Sequence, residues 1–339
     1  MAPTRIPVLT SLALLTFSCT NNIPSTFTTG ATLGGQQVSA KVLNQGQESY
    51  VKHCYACHGI EGDGFGPSAP GLRPPPRDFR TATFKFTGVI DGLPHDEDLV
   101  RIINSGLHGT AMLEWDLPPD DVLHIVQFIK TFSPEGEGWR DPDEVLGERM
   151  VPTTDPFGTA GADEAIARGR ALYHGFTTCQ SCHPAYATKQ EMWDYSAEYD
   201  KVAEFRENLY LSEVKGSDYE VAGPDGEAIE VTILPPDFTW DKVRAVYTGH
   251  EHEDLYRIIA GGIGGTAMPA WKGSIEEEEI WALVYYVDSL IDIRDTAEAT
   301  GMRQALASQP AFVPPPPPEE EGTGEEGAEA TPDEGGAPE

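Results

Sequence analysis

Cysteine is scarce in this chain, with five in 339 residues. Four fall in two short motifs and the fifth, Cys19, stands near the N-terminus. No pair is left for a structural disulfide, and the cysteine count says nothing about compartment. Basic residues are also few, 23 Lys and Arg against 55 Asp and Glu, for a formal net charge of −32. Nine of the acids lie in 319–339, which has no Lys or Arg, and the remainder is still strongly acidic. Nucleic acid and anionic lipid surfaces are disfavoured as partners, whereas a protein with a basic docking face is favoured. Long apolar runs are missing too. The one candidate, Ile6 to Phe17, falls short of the ~20 residues a membrane-spanning helix needs.

What is present is a pair of pentapeptides, Cys54-Tyr55-Ala56-Cys57-His58 and Cys179-Gln180-Ser181-Cys182-His183. At ~3.6 residues per turn, positions i, i+3 and i+4 share one helical face. Two thiols and an imidazole can therefore meet one porphyrin, the sulfurs on its vinyl carbons and the imidazole at its iron. A single CxxC reads equally as a redox dithiol or half of a zinc site. Two copies, each followed at once by His and neither set in a βαβ pattern, read as c-type haem attachment. The expectation is two covalently bound haem c groups, on Cys54 and Cys57 and on Cys179 and Cys182.

The N-terminus reads as an export signal. Met1 to Arg5 is a short basic stretch, Ile6 to Phe17 the apolar core, and Ser18 and Cys19 follow as small residues. Export suits the haem reading, because c-type haem is attached outside the cytoplasm. Residues 1–19 are thus expected to be a signal peptide and 20–39 a flexible Thr-, Gly- and Gln-rich tether. A first haem domain is expected over 40–133, a linker over 134–162 and a second haem domain over 163–294. A Pro-rich acidic tail, 295–339, is expected to be disordered.

The two haem units are an internal repeat. Residues Asp98 to Met112 align without a gap on Asp254 to Met268, each copy ending in Gly-Thr-Ala-Met, and Trp115 falls on Trp271. Upstream, Pro76-Arg77-Asp78-Phe79 answers Pro235-Pro236-Asp237-Phe238. Leu99, Ile102 and Ile103, like Leu255, Ile258 and Ile259, have the i, i+3, i+4 spacing of an amphipathic helix, and glycines stop each one. A closing helix follows in each unit, through Val122, Ile125, Val126 and Ile129 and through Ile280, Leu283, Val284 and Val287. The acidic run Glu276 to Glu279 suits the positive end of the second of these. A short opening helix carries Gly46 and Tyr50, or Gly169 and Tyr173, and the glycines predict that opening and closing helices cross.

This order of opening helix, CxxCH, central helix, glycine-rich loop ending in Met, aromatic and closing helix resembles class I cytochrome c. The tandem form resembles diheme electron-transfer cytochromes of bacterial respiratory chains. The resemblance implies an all-α fold of two tandem haem domains with His58 and His183 as proximal and Met112 and Met268 as distal iron ligands. Imidazole plus thioether stabilises ferrous iron and suits an electron carrier. Gly106, Gly109, Gly262 and Gly265 are expected to let backbone approach the porphyrin. A Met in an apolar stretch is ordinarily core filler, and Met150, Met192 and Met302, which lack the Gly-Thr-Ala setting, read that way. His108, four residues before Met112, is the alternative ligand. The other histidines default to the surface or the haem rim.

The units also differ. Gly59 to Pro70 is a loop like the family's, and Pro67 or Pro70 is expected to supply the carbonyl that takes the Nδ1 proton of His58. The second unit has Pro184 and no such loop, which leaves the group orienting His183 open. Its Tyr173-to-Cys179 spacing is two residues longer than Tyr50 to Cys54. An insertion, about 184–234, reads as a helix over Lys189 to Asn208 plus a β-hairpin turning at Gly223-Pro224-Asp225-Gly226. It is either a lid or docking surface over the second haem, or a surface elaboration shielding a haem edge or packing the domains together.

Functionally, the pattern reads as a periplasm-facing carrier of single electrons with no catalytic residues. It would be held to a membrane only by a lipid on Cys19, since a Cys straight after a signal core resembles the lipoprotein signal. Redox proteins, with a membrane oxidoreductase or terminal oxidase as neighbour, are the expected partners. The rivals are a diheme peroxidase-type enzyme, needing one open iron position, and a haem subunit tightly bound in a membrane oxidoreductase complex.

Overall fold

The computed structural model describes residues 26–222 and 228–314. The expected signal with Cys19, the tip of the hairpin and the acidic run beyond 314 lie outside the described residues. Helices dominate, and strands occur among the described residues only as three two-stranded antiparallel ladders. No described helix is long and apolar enough to cross a membrane.

In the first half, α1 (Ala40–His53) starts where the Ser39 hydroxyl accepts from the Val42 N–H. It runs into α2 (Tyr55–His58), the turn that carries the first Cys motif. The central helix α3 (Asp96–Ser105) stops at Gly106, whose φ of +64° a side chain would resist. The closing helix α4 (Pro119–Lys130) begins with a proline at its first position, where the missing N–H removes no bond, and with Asp120 and Asp121 at the positive end of the helix. The second half repeats the order with α5 (Ala162–Ala171), α7 (Glu251–Gly261) and α8 (Glu277–Asp292). A capping box between Glu276 and Glu279 opens α8.

The opening and closing helices cross in both halves, and at the glycines. A Cβ on Gly46 would stand 2.0 Å from the His124 carbonyl oxygen, and one on Gly169 would stand 2.0 Å from that of Ala282. Tyr50 then packs its ring on Phe128 and Phe132, and Tyr173 packs on Tyr286. Each half has its own apolar core, one built on Leu43, Tyr50, Leu99 and Ile125, the other on Tyr173, Leu255, Ile280 and Leu283. A further cluster draws on both halves, joining Phe86 and Leu107 to Ala245, Tyr247, Ile263 and Met268.

Three expectations need correction. Within the supposed tether, β1 (Ala31–Leu33) pairs with β2 (Gln36–Val38), and Leu33 and Phe27 pack into the first core. The Trp139 carbonyl holds the hairpin through the Gly34 N–H at 2.7 Å. That same Trp139 belongs to the linker, which packs on the first core through it. Its strand β4 (Glu148–Arg149) pairs with β3 (Val89–Ile90), and Met150 is buried in the second core. The tail begins with a helix, α9 (Ala297–Ala307), capped by the Thr296 hydroxyl, burying Ala299 and Leu306 and fastened by Arg303 to Thr239. Finally, the helix of the insertion, α6 (Lys189–Glu198), stops ten residues before Asn208. The chain then runs irregularly to the hairpin of β5 (Lys215–Ala222) and β6 (Ala228–Ile233).

Candidate functional site

The first motif sits on a turn closed by two hydrogen bonds. The N–H groups of Cys57 and His58 both donate to the Cys54 carbonyl, at 3.2 and 3.0 Å. Cys54, Cys57 and His58 thereby line one side of an apolar cavity whose other walls include Leu99, Ile103, Ile125 and Trp115, with Met112 also lining it. Burial pushes the Cys54 thiol up to about 12, with the neighbouring Cys57 adding to it. Burial likewise lifts Cys179 to about 11. Reactive dithiols favour a lowered thiol pKa, the opposite direction to Cys54 and Cys179. Among the described residues no cluster of three or more His, Cys, Asp or Glu is placed to hold a metal ion.

The histidine is held from behind. His58 Nδ1 lies 3.1 Å from the Arg77 carbonyl oxygen, which can only accept, so Nδ1 carries the proton and Nε2 keeps its lone pair. Burial drives the imidazole down to about 4, so it is neutral at physiological pH. Its ring stacks on Phe79 at 4.4 Å. Neither Pro67 nor Pro70 plays the expected part, because their loop serves as a donor. The N–H groups of Gly64, Gly66 and Ser68 bond the carbonyls of His58, Cys57 and Ala56, bracing the turn.

The second motif repeats this geometry on different supports. Cys182 and His183 donate to the Cys179 carbonyl at 3.1 and 2.9 Å. His183 Nδ1 lies 2.9 Å from the Pro236 oxygen, and its ring stacks on Phe238 at 4.8 Å. Arg77 and Pro236 are the same position of the repeat. At the next position Asp78 and Asp237 each accept from the N–H two residues on, fixing the turn that presents the stacking phenylalanine. Tyr50 and Tyr173 correspond as well, donating to the carbonyl directly after each histidine, Gly59 at 2.7 Å and Pro184 at 2.9 Å.

The two extra residues before Cys179 are absorbed by a π turn at Leu172–Phe176. The Thr177 hydroxyl and N–H both satisfy the Leu172 carbonyl there, and His174 is wholly buried. His174 therefore departs from the surface default. The insertion replaces the missing loop: Arg206 donates to the Gln180 and His183 carbonyls, each at 2.8 Å, and the Glu213 N–H donates to Cys182 at 2.9 Å. A few residues on, Ser217 forms a β-bridge with Thr266, beside Met268.

The methionine loops are built identically. Thr110 Oγ1 donates to the Leu107 carbonyl at 2.8 Å and accepts from the Met112 N–H at 3.0 Å. Thr266 does the same between Ile263 and Met268, at 2.8 and 3.2 Å. This explains the threonine of Gly-Thr-Ala-Met, a role that residue type alone does not mark. It also changes the reason for two glycines. A Cβ on Gly106 or Gly262 would stand 2.7 Å from the carbonyl oxygen of Met112 or Met268, so these serve the loop's own backbone. His108 is not among the residues lining the cavity, and its ring meets Tyr247 edge-on instead.

A paired thiol, a neutral imidazole with a free Nε2, a thioether and apolar walls are a donor set that fits haem c, and the class this defines is the c-type cytochrome. The family model "Cytochrome C oxidase, cbb3-type, subunit III" matches residues 41–129 and 223–287. No curated protein matches. Among solved structures, a chain of the Kuenenia stuttgartiensis reducing HAO-like protein complex is similar, at 26% identity and a TM-score of 0.55. The likeness covers 73% of this chain and 96% of that one. Together these likenesses support a class I c-type cytochrome: such a domain implies covalent haem c, which the CxxCH spacing of Cys54 and Cys57 fits, and suggests haem-based electron transfer.

Proposed function

We propose that the protein is a diheme carrier of single electrons, with haem c on Cys54 and Cys57 and on Cys179 and Cys182. His58 and Met112 would ligate one iron, His183 and Met268 the other. The observation that carries the reading is the repeat of support at both sites. A carbonyl from one repeat position holds each Nδ1, a tyrosine holds the next carbonyl, and a threonine holds each methionine loop. Bound haem supplies the one-electron chemistry of its iron. The protein's residues hold each imidazole neutral and aimed, present the thioether from the opposite loop, and keep water from the macrocycle with Leu99, Ile125 and their counterparts.

The export signal, lipid on Cys19, a periplasm-facing site and a partner with a basic face complete the proposal. A second reading, a haem subunit held in a larger assembly, is favoured by the likeness to a chain from a two-protein complex. Purification as a stable assembly that exchanges no electrons with free carriers would select it. The ligand set is tested by Met112→Ala and Met268→Ala in redox titrations with optical spectra. Each variant should move one of two reduction waves downward, because a lost thioether disfavours ferrous iron. Unchanged waves in both would refute the assignment, and a high-spin resting haem in the wild type would favour a peroxidase-type enzyme.

A further inference from the structure

The carbonyls of the two Cys-motif turns are satisfied by different chemistry. At the first site the His58 carbonyl accepts from the neutral Gly64 N–H at 2.9 Å. At the second, the His183 carbonyl accepts from the Arg206 guanidinium at 2.8 Å. The same side chain donates to the Gln180 carbonyl at 2.8 Å and, within its own segment, to those of Leu209 and Leu211. Backbone on both sides thus fixes the guanidinium, and only 15% of the side chain is exposed. Neutral amides brace the first turn, so bracing alone does not call for a cation here.

A guanidinium brings a permanent charge along with its donors. Burial lowers the pKa of both imidazoles, and a guanidinium charge adds to it, Arg77 at His58 and Arg206 at His183. At the repeat position of Arg77 the second half has Pro236, so there the charge comes from the insertion instead. Glu213 faces the guanidinium at 3.6 Å, but it also meets Lys215 at 3.3 Å. Its side chain is 43% exposed and screened by water, so it offsets the charge of Arg206 only in part. The backbone N–H of Glu213 braces Cys182 whatever the side chain carries. Positive charge held beside a buried redox centre favours the reduced, less positive state.

We propose that Arg206 is a positioning residue that also sets the potential of the second haem, its fixed charge at the His183 carbonyl making that iron easier to reduce. The inference rests on the diheme reading above. The experiment is a redox titration of full-length, haem-loaded wild type, R206Q, R206K and E213Q, with haem counts from intact mass and stability from denaturant unfolding. The wave that moves in Met268→Ala identifies the second haem. R206Q should lower that wave alone, its reduction equilibrium falling up to about tenfold, ~59 mV for one electron. R206K should keep most of the potential although it unfolds as readily as R206Q, and E213Q should raise the same wave. Opposite shifts from removing opposite charges cannot come from a loosened turn. If R206Q and R206K shift alike, if both waves move together, or if E213Q leaves the wave unmoved or lowers it, the tuning role is overturned. Two counted haems would then leave the diheme reading standing, whereas a wild-type mass lacking two haems overturns both. Should R206Q fail to take up its second haem, E213Q alone still decides.

Discussion

Iron ligation asks a histidine to stay neutral, with one nitrogen free and the other protonated and fixed. His58 and His183 meet this through burial and through carbonyls from one repeat position, Arg77 and Pro236. The sequence displayed that position, since the two Pro-x-Asp-Phe segments align, but nothing in residue type marks a backbone carbonyl as an acceptor. His174 is a third histidine held neutral, for a structural end. Its Nδ1–H donates to the Arg170 carbonyl at 2.8 Å and its Nε2 accepts from the Tyr186 N–H at 3.1 Å, inside the second core. Burial lowers its pKa to about 3 from the ordinary 6.5. The unfolded chain therefore binds a proton that the folded chain refuses, so this stabilisation is complete above about pH 6.5 and is lost as pH falls toward 3. His174→Leu should cost about 1–3 kcal/mol at neutral pH by stranding the Tyr186 N–H. It should also flatten the decline in stability between pH 6.5 and 3, as followed by denaturant unfolding. An unchanged slope would place the titrating group elsewhere.

Among the elements, the crossing helices were legible because a period of 3.6 and a glycine four residues before an aromatic are both sequence patterns. Gly46→Ala and Gly169→Ala should each destabilise the chain by about 1–3 kcal/mol or more, since the methyl meets backbone that cannot rotate away. Thermal unfolding measures this, and a neutral outcome would mean that the helices are further apart than described. The strands β1 to β4 and the helix α9 were not legible. The strands are two or three residues long, too short for alternation to show, and α9 has a polar, Ala-rich sequence flanked by tail composition. The insertion shows the same limit. Its hairpin could be read, but its purpose lies in Arg206, an ordinary cation until folding sets its guanidinium against the carbonyls of the Cys-motif turn. With Ser217 bridging to Thr266, the segment ties the histidine side of the second site to its methionine side. Arg206→Ala should cost about 1.5–3 kcal/mol in chemical unfolding. Arg206→Lys should not restore it, because one ammonium cannot match the planar fork. Full rescue by Lys would make the brace a matter of charge alone.

At the scale of the whole molecule, one set of supports occurs twice around two separate cores, joined by a seam through Phe86, Leu107, Tyr247 and Met268. Each half carries its own Cys pair, imidazole and thioether, and Arg244 of the second half lines the cavity of the first. Duplication was visible in the sequence and the seam was not, because alignment of repeats carries no information about which faces meet. The most direct test is the number of haems per polypeptide, from intact mass together with iron content of the protein exported by a host able to attach c-type haem. Two covalent haems and two irons per chain are expected, falling to one of each in Cys54→Ala/Cys57→Ala and in Cys179→Ala/Cys182→Ala. A wild-type chain carrying one haem or none would contradict the account.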